Sequence, residues 1–226
     1  MGNLSLVTGA NGHLGNTLVR ALKAAGHEVR AGVRDPQDRS AFAGLDCEVV
    51  HAELMNRASL ERALAGVDVL YQVAAVFKHW ARDPEAEIVR PNVEGTRNVL
   101  EAAAAAGVRR VVYVSSVAAV GHNGQALNET HWNREEDNAY YRSKILSERM
   151  AWDLSQRLGL DMVVALPSAM IGPNSRRLTD TMQFVHDVAH QKIPLDPGFH
   201  FNFVDVRDVA QGLMLAAEKG RGGERY

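Results

Sequence analysis

The sequence predicts an α/β fold: a doubly wound parallel sheet with flanking helices, in one domain spanning residues 1–226. Three observations predict it. Short apolar strand patterns alternate with amphipathic helical ones along the chain. The first strand runs straight into the glycine turn Thr8-Gly9-Ala10-Asn11-Gly12-His13-Leu14-Gly15, which opens a helix. No linker, internal repeat or low-complexity segment divides the chain. Strands alternating with helices imply right-handed crossovers and a ligand crevice outside the carboxyl ends of the strands.

Leu4 to Val7 is the first strand, and Leu14, Leu18, Ala21 and Leu22 recur at helical spacing up to Gly26. A strand, glycine turn and helix in that order suit a dinucleotide: glycines let the backbone approach a pyrophosphate, and the helix start aims free N–H groups at it. The turn would be ordinary if no ligand met it. Glu28 to Val33 is the second strand, ending where such folds meet the adenosine ribose. An acidic residue there would bond a 2′-hydroxyl and repel a 2′-phosphate. This chain has Val33 and then Arg34, so NADP(H) is expected over NAD(H), although Asp35 stands beside the arginine.

Cys47 to His51 is the third strand, Arg57 to Leu64 a short helix, and Val67 to Val73 the fourth strand, whose end at Ala74 and Ala75 leaves room for a flat ligand. A long alanine-rich helix is expected from Glu85 to Ala106, then a fifth strand, Arg110 to Val114, delivering Ser115 and Ser116. The polar stretch from Val117 to Asn138 is a loop placed to overlie the site. Tyr140 opens a helix to Leu158, and Asp161 to Leu166 is the sixth strand, closed by Pro167 to Pro173. An amphipathic helix follows near Asp180 to His190, then Phe201 to Ala210 and a helix to Lys219.

Tyr140 and Lys144 are four apart, so both project from one helix face. A free phenol titrates near 10, and bringing it to about 7 takes roughly 4 kcal/mol of preferential anion stabilisation, which a nearby ammonium can supply. A hydroxyl from Ser116 would hold a substrate carbonyl oxygen. The same pair on an exposed helix would be inert; its context decides between the two.

Composition narrows the classes. With 226 residues, 46% hydrophobic, and a formal net charge of −2, the chain suits one domain with a sizeable core. A lone Cys47 and the absence of a leader pattern lead to the expectation of a cytoplasmic protein. No apolar run nears the roughly 20 residues that span a bilayer, and no Lys/Arg block tracks phosphates, so neither membrane nor nucleic acid is an expected partner. His186 and His190 sit at a spacing that can chelate zinc, with His200 following, but Asp187 stands where the metalloprotease pattern has Glu; no metal is expected.

An ordered set of motifs now carries a resemblance. Gly9, Gly12 and Gly15; Asn92-Val93-Glu94-Gly95-Thr96; Val114-Ser115-Ser116; Tyr140 with Lys144; Pro167 with Gly172-Pro173; and Val204 to Ala210 follow one another across nearly the whole chain. In this the chain resembles the extended short-chain dehydrogenase/reductases, in the dihydroflavonol-4-reductase-like branch beside the NAD-dependent epimerase/dehydratases. The resemblance implies a Rossmann-type fold and an oxidoreductase interconverting a small-molecule carbonyl and its alcohol. It implies Tyr140 as general acid/base, Lys144 as the cation supporting it and holding the nicotinamide ribose, and Ser116 as the carbonyl-positioning hydroxyl. It further implies cofactor contacts from Gly9, Asn11, Gly12, His13, Leu14, Gly15, Arg34, Glu53, Leu54, Val73, Ala74, Ala75, Asn92, Tyr140, Lys144, Pro167, Ser168, Ala169 and Met170.

Departures limit the inference. Gly121 stands where plant dihydroflavonol reductases carry Asn, which argues against a flavonoid substrate. Residues 168–200 would form only part of a substrate lobe, and Gly222 to Tyr226 resembles entry into another strand. A nucleotide-sugar epimerase or dehydratase with retained NAD is the rival reading, and a non-catalytic, cofactor-sensing binding protein a third. Phe77, Lys78, His79 and Trp80 are a candidate substrate rim or an aromatic loop cluster. A homodimer through the helices carrying Leu100, Ile145 and Met150 is expected of the family, though core packing explains the same residues.

Overall fold

The computed structural model describes residues 4–78, 80–135, 137–194, 198 and 202–226. His79, His200 and Phe201 lie outside them. Six strands, β1 (Leu4–Thr8), β2 (Glu28–Val33), β3 (Glu48–His51), β4 (Val69–Gln72), β5 (Arg110–Val114) and β6 (Met162–Ala165), form one sheet in the order β3-β2-β1-β4-β5-β6. Every pairing is parallel. The order reverses between β1 and β4, which is where such sheets open their ligand crevice.

Helices α1 (His13–Ala24), α2 (Arg57–Leu64), α3 (Arg90–Ala105), α4 (Ala139–Leu158), α5 (Asp180–Ala189) and α6 (Val206–Lys219) complete the layers. Val7, Tyr71, Val112, Val114 and Val163 join Leu14, Leu18 and Leu213 in a core under α1 and α6. Leu6, Leu70, Val111, Tyr113 and Val164 join Leu60, Leu100 and Leu154 under α2, α3 and α4. Successive strand residues thus feed opposite cores, so the strands read as continuous apolar runs. Leu100 and Ile145 are buried within this one chain, so the sequence argument for pairing between subunits does not rest on them.

Three elements differ from expectation, each for a local reason. The helix expected from Glu85 starts as a π turn over Glu85–Val89, with the Arg90 N–H bonded to the Glu85 carbonyl. Pro91, which has no N–H, sits just inside the α-helix that follows, and the wider turn absorbs the missing donor. A two-stranded parallel sheet of β7 (Ala169–Ile171) and β8 (Phe203–Asp205) was not foreseen, because three-residue strands paired at long range carry little local pattern. And α6 begins at Val206, inside the stretch read as preceding the helix, because the Asp205 carboxylate caps it by accepting from Arg207 N–H at 2.8 Å.

The last residues do enter the sheet. Val164 N–H donates to Glu224 O at 3.1 Å, Tyr226 N–H to Val164 O at 2.9 Å and Leu166 N–H to Tyr226 O at 2.8 Å, alongside β6. No helix among the described residues is long and apolar enough to cross a membrane. None of the residues of α5 is buried. The His186 and His190 rings stack at 4.0 Å on it, and the described residues hold no group of three or more His, Cys, Asp or Glu side chains that could bind a metal.

Candidate active site at the carboxyl edge of the sheet

The glycine turn is shaped by close backbone approach. Gly9 is held at φ 63°, and a Cβ there would lie 3.0 Å from the Ala74 Cα. At Gly15 a Cβ would sit 2.2 Å from the Gly9 carbonyl oxygen, so no side chain fits. Gly12 caps α1 without a side-chain hydrogen bond, and the first turn of α1 carries no acidic residue. By contrast α2, α4, α5 and α6 are capped by Asn56, Asn138, Thr179 and Asp205. The start of α1 thus has no side-chain cap and no acidic neighbour in its first turn, a setting that favours an anion. A turn closed to side chains at Gly9 and Gly15, beside a helix start with no side-chain cap, fits a dinucleotide pyrophosphate. Asn11 and Gly12 are exposed and His13 half-buried at this turn, while Leu14 packs inward. His13 Nε2 lies 3.1 Å from the Gly172 carbonyl, tying the turn to the end of β7.

Two residues that sequence reasoning missed hold the opposite wall. The buried Thr8 hydroxyl accepts from the N–H groups of Val73 (3.0 Å) and Ala74 (3.1 Å) and donates to Gln72 Oε1 at 2.7 Å. Gln72 Nε2 in turn donates to Ala74 O at 2.9 Å. Val73 and Ala74 are half-buried and Ala75 exposed, consistent with a loop lining an open crevice. A threonine ending a strand gives no sequence signal beyond its position.

The Asn92 to Asn98 motif on α3 acts as a clamp. Asn92 Oδ1 accepts from Val76 N–H at 2.7 Å, and its Nδ2 faces Val76 O at 3.0 Å and Ser143 Oγ at 3.1 Å. Its amide is thus spent on the loop after β4 and on α4, a positioning role behind the cofactor contact expected of it. Gly95 lets Leu54 approach, since a Cβ would meet Leu54 Cβ at 2.9 Å, and Asn98 Nδ2 donates to Leu54 O at 2.9 Å. Glu53 stands beside it, 3.6 Å from His51 Nε2. Pro167 to Met170 are all half-buried, with Pro167 O accepting from Val117 N–H at 3.2 Å.

The Asn138 side chain starts α4 by accepting from Tyr140 N–H (3.0 Å) and Tyr141 N–H (3.1 Å). Its buried stripe is polar: Tyr140, Ser143, Lys144, Ser147 and Glu148 at helical spacing. Tyr140 and Lys144 are 8% and 7% exposed, which removes the inert surface pair from consideration. The Tyr140 ring meets Phe77 edge-on at 5.0 Å. Burial pushes its phenol above the ordinary 10, against a hydrogen bond from Ser116 that favours the anion. Desolvation outweighs that hydrogen bond, so the phenol of the folded chain stands above its free value. Ser116 also starts a short turn over Val117–Ala119, its Oγ accepting from Ala118 N–H at 3.1 Å.

Burial lowers Lys144 to about 8, with Glu148 opposing the shift. An ammonium whose folded pKa lies below its unfolded 10.5 costs stability; the cost is fully present below pH 8 and is relieved as pH rises toward 10.5. Lys144→Met is accordingly expected to abolish activity while raising Tm at pH 7 by about 3 °C or more, roughly 1 kcal/mol for a chain of this size, read by thermal melting.

Arg34 is exposed just past buried Val33, and Asp35 turns to accept from Gln37 N–H at 3.0 Å. The carboxylate thus serves its own turn. A cavity of about 880 Å³ between residues 120–135 and Arg149 is lined by neither Tyr140 nor Lys144. We take the open crevice at the strand ends as the site, because the buried titratable pair and the glycine cradle converge there.

Comparison with known proteins gives a consistent result. The family model described as NAD dependent epimerase/dehydratase family matches residues 5–226. The chain is 41% identical to sterol demethylase protein B of Methylococcus capsulatus, over 98% of this chain and 68% of that one. It is 37% identical to a putative dihydroflavonol 4-reductase of Synechocystis, over 100% of this chain and 67% of that one. A solved nucleoside-diphosphate-sugar epimerase from Pseudomonas aeruginosa superposes with a TM-score of 0.83 at 27% identity, covering 99% of this chain and 70% of that one.

Proposed function

The chain belongs to the NAD dependent epimerase/dehydratase family, whose members are NAD(P)-dependent oxidoreductases and epimerases, and from that premise we propose that it reduces an aldehyde or ketone to the alcohol, reversibly, with NADP(H). The observation that carries the reading is the buried Tyr140–Lys144 pair, with Ser116 bonded to the phenol, at the strand edge where the glycine turn opens.

A nicotinamide bound in the crevice would supply the hydride to the carbonyl carbon. The residues of the chain do the rest. Ser116 offers its hydroxyl to the carbonyl oxygen and fixes it beside Tyr140. Tyr140, whose phenol burial holds above its ordinary value, gives its proton to that oxygen as negative charge develops. Lys144 stabilises the resulting phenolate and holds the nicotinamide ribose. Arg34 grips a 2′-phosphate, with Val33 in place of an acidic residue at the end of β2 and the Asp35 carboxylate turned to the Gln37 N–H.

The test is titration of the protein with NADPH and NADH, followed by cofactor fluorescence, then assay against aldehydes and ketones. NADPH is expected to bind tighter, and Arg34→Ala to weaken NADPH by roughly tenfold, about 1.4 kcal/mol, while leaving NADH within about twofold. Equal loss for both nucleotides, or none, would remove Arg34 from the assignment. The family description and the sugar-nucleotide epimerase neighbour favour a second reading, an epimerase or dehydratase that returns the hydride. Stoichiometric NAD carried through purification, with no net carbonyl reduction, would select it.

A further inference from the structure

One buried charge on α4 is not among the residues assigned to this chemistry so far. Glu148 is 0% exposed and lies one helical turn past Lys144. Its carboxylate accepts from Ser115 Oγ at 2.6 Å, Trp152 Nε1 at 3.2 Å, and Arg225 through Nε at 2.7 Å and Nη2 at 3.3 Å. Ser115 is the residue before Ser116. Arg225, on the segment beside β6, uses Nη1 on the carbonyls of Glu129 (2.6 Å) and His131 (2.7 Å), and its guanidinium lies 4.0 Å over the Trp132 ring. One ion pair therefore joins the strand end bearing Ser116, the helix bearing Tyr140 and Lys144, and the loop between them.

Such a pair is a poor way to gain stability. Burying each ion costs several kcal/mol, and apolar replacements of buried pairs are often neutral or better. Its place in the site gives it another use. We propose that Glu148 and Arg225 are positioning residues: the carboxylate keeps Lys144 cationic within the site, and the guanidinium fixes residues 129–132 against α4. This deepens the proposed reductase reading and rests on it. The groups around the pair are Lys144 and Trp152 on α4, Ser115 and the buried Tyr113 phenol from β5, and Trp132 from the loop; Tyr113 also feels Glu148.

The experiment follows the Lys144 side chain by NMR of lysine-labelled protein, its signal identified by its loss in Lys144→Met, together with hydrogen exchange at His131 and Asn133. Those two amides are bonded to Asn128 O (3.1 Å) and Ala119 O (2.8 Å). Glu148→Gln keeps the shape and removes the charge, and is expected to lower the Lys144 midpoint by about one pH unit or more. Arg225→Lys keeps a cation beside Glu148 but loses the fork to the loop. It should leave that midpoint in place and speed exchange at the two amides by about tenfold, from lost charge-assisted hydrogen bonds.

An unchanged midpoint in Glu148→Gln, or unchanged exchange in Arg225→Lys, overturns the proposal. Should Glu148→Gln not fold, Glu148→Asp withdraws the charge along the same path and is expected to lower the midpoint by a smaller amount; an unshifted value there overturns it equally. Neither readout needs turnover. Failure of the wild type to bind either nucleotide would count against the reductase reading and leave this result standing.

Discussion

Tyr140→Phe is expected to lower kcat for carbonyl reduction by about 10³-fold, within the usual range for removing a positioned proton donor. The phenol is 8% exposed, bonded to Ser116 and packed edge-on against Phe77. Phenylalanine keeps the ring and its contacts and removes only the oxygen. NADPH binding should therefore stay within about twofold of wild type, well below the roughly 1.4 kcal/mol that a tenfold change would need. Steady-state kinetics beside fluorescence titration separates the two quantities. Retained reductase activity would mean that another group delivers the proton, and the Tyr140 assignment would fall.

Gly15→Ala is expected to do the largest damage to the fold of the site. The added methyl would sit 2.2 Å from the Gly9 carbonyl oxygen, 2.9 Å from the Gly9 carbonyl carbon and 3.0 Å from the Ala10 Cα, all backbone. No side chain can swing away, so the turn and α1 must separate. Overpacking commonly costs about 1–3 kcal/mol, and a backbone clash this close belongs at the upper end. A fall in Tm of about 6–12 °C follows for a chain of this length. Nucleotide affinity should drop with it, since the uncapped N–H groups lose their alignment. Gly12→Ala is the contrast: its methyl would meet one atom, Gly9 O, at 3.2 Å, and thermal melting should show a much smaller loss. The glycine pattern alone does not distinguish these positions.

Much of the site was legible because its signals are local. The glycine turn follows a strand and opens a helix, Tyr140 and Lys144 share a helix face, and Ser116 ends an apolar run; each is a matter of spacing within a few residues. What the sequence could not give were the partners reached across the chain. Thr8 holds Val73 and Ala74 from 65 and 66 residues away, and Asn92 meets Ser143 across 51. Neither pairing leaves a periodicity to read. Motifs record residue types and not where an amide spends its hydrogen bonds, so the Asn92 bonds to Val76 and Ser143 could not be read beforehand.

The sequence by itself determined the doubly wound parallel sheet, its glycine turn and the tyrosine–lysine helix, because apolar periodicity and turn chemistry act over one or two turns of chain. Only the tertiary structure decided the direction in which each group of that pair is shifted from its free value. Burial raises Tyr140 and lowers Lys144, and both shifts depend on what packs around the groups once distant segments meet. It also decided that Glu148 finds Arg225 across 77 residues, since a carboxylate without water must draw its counter-charge from whichever segment the fold brings beside it.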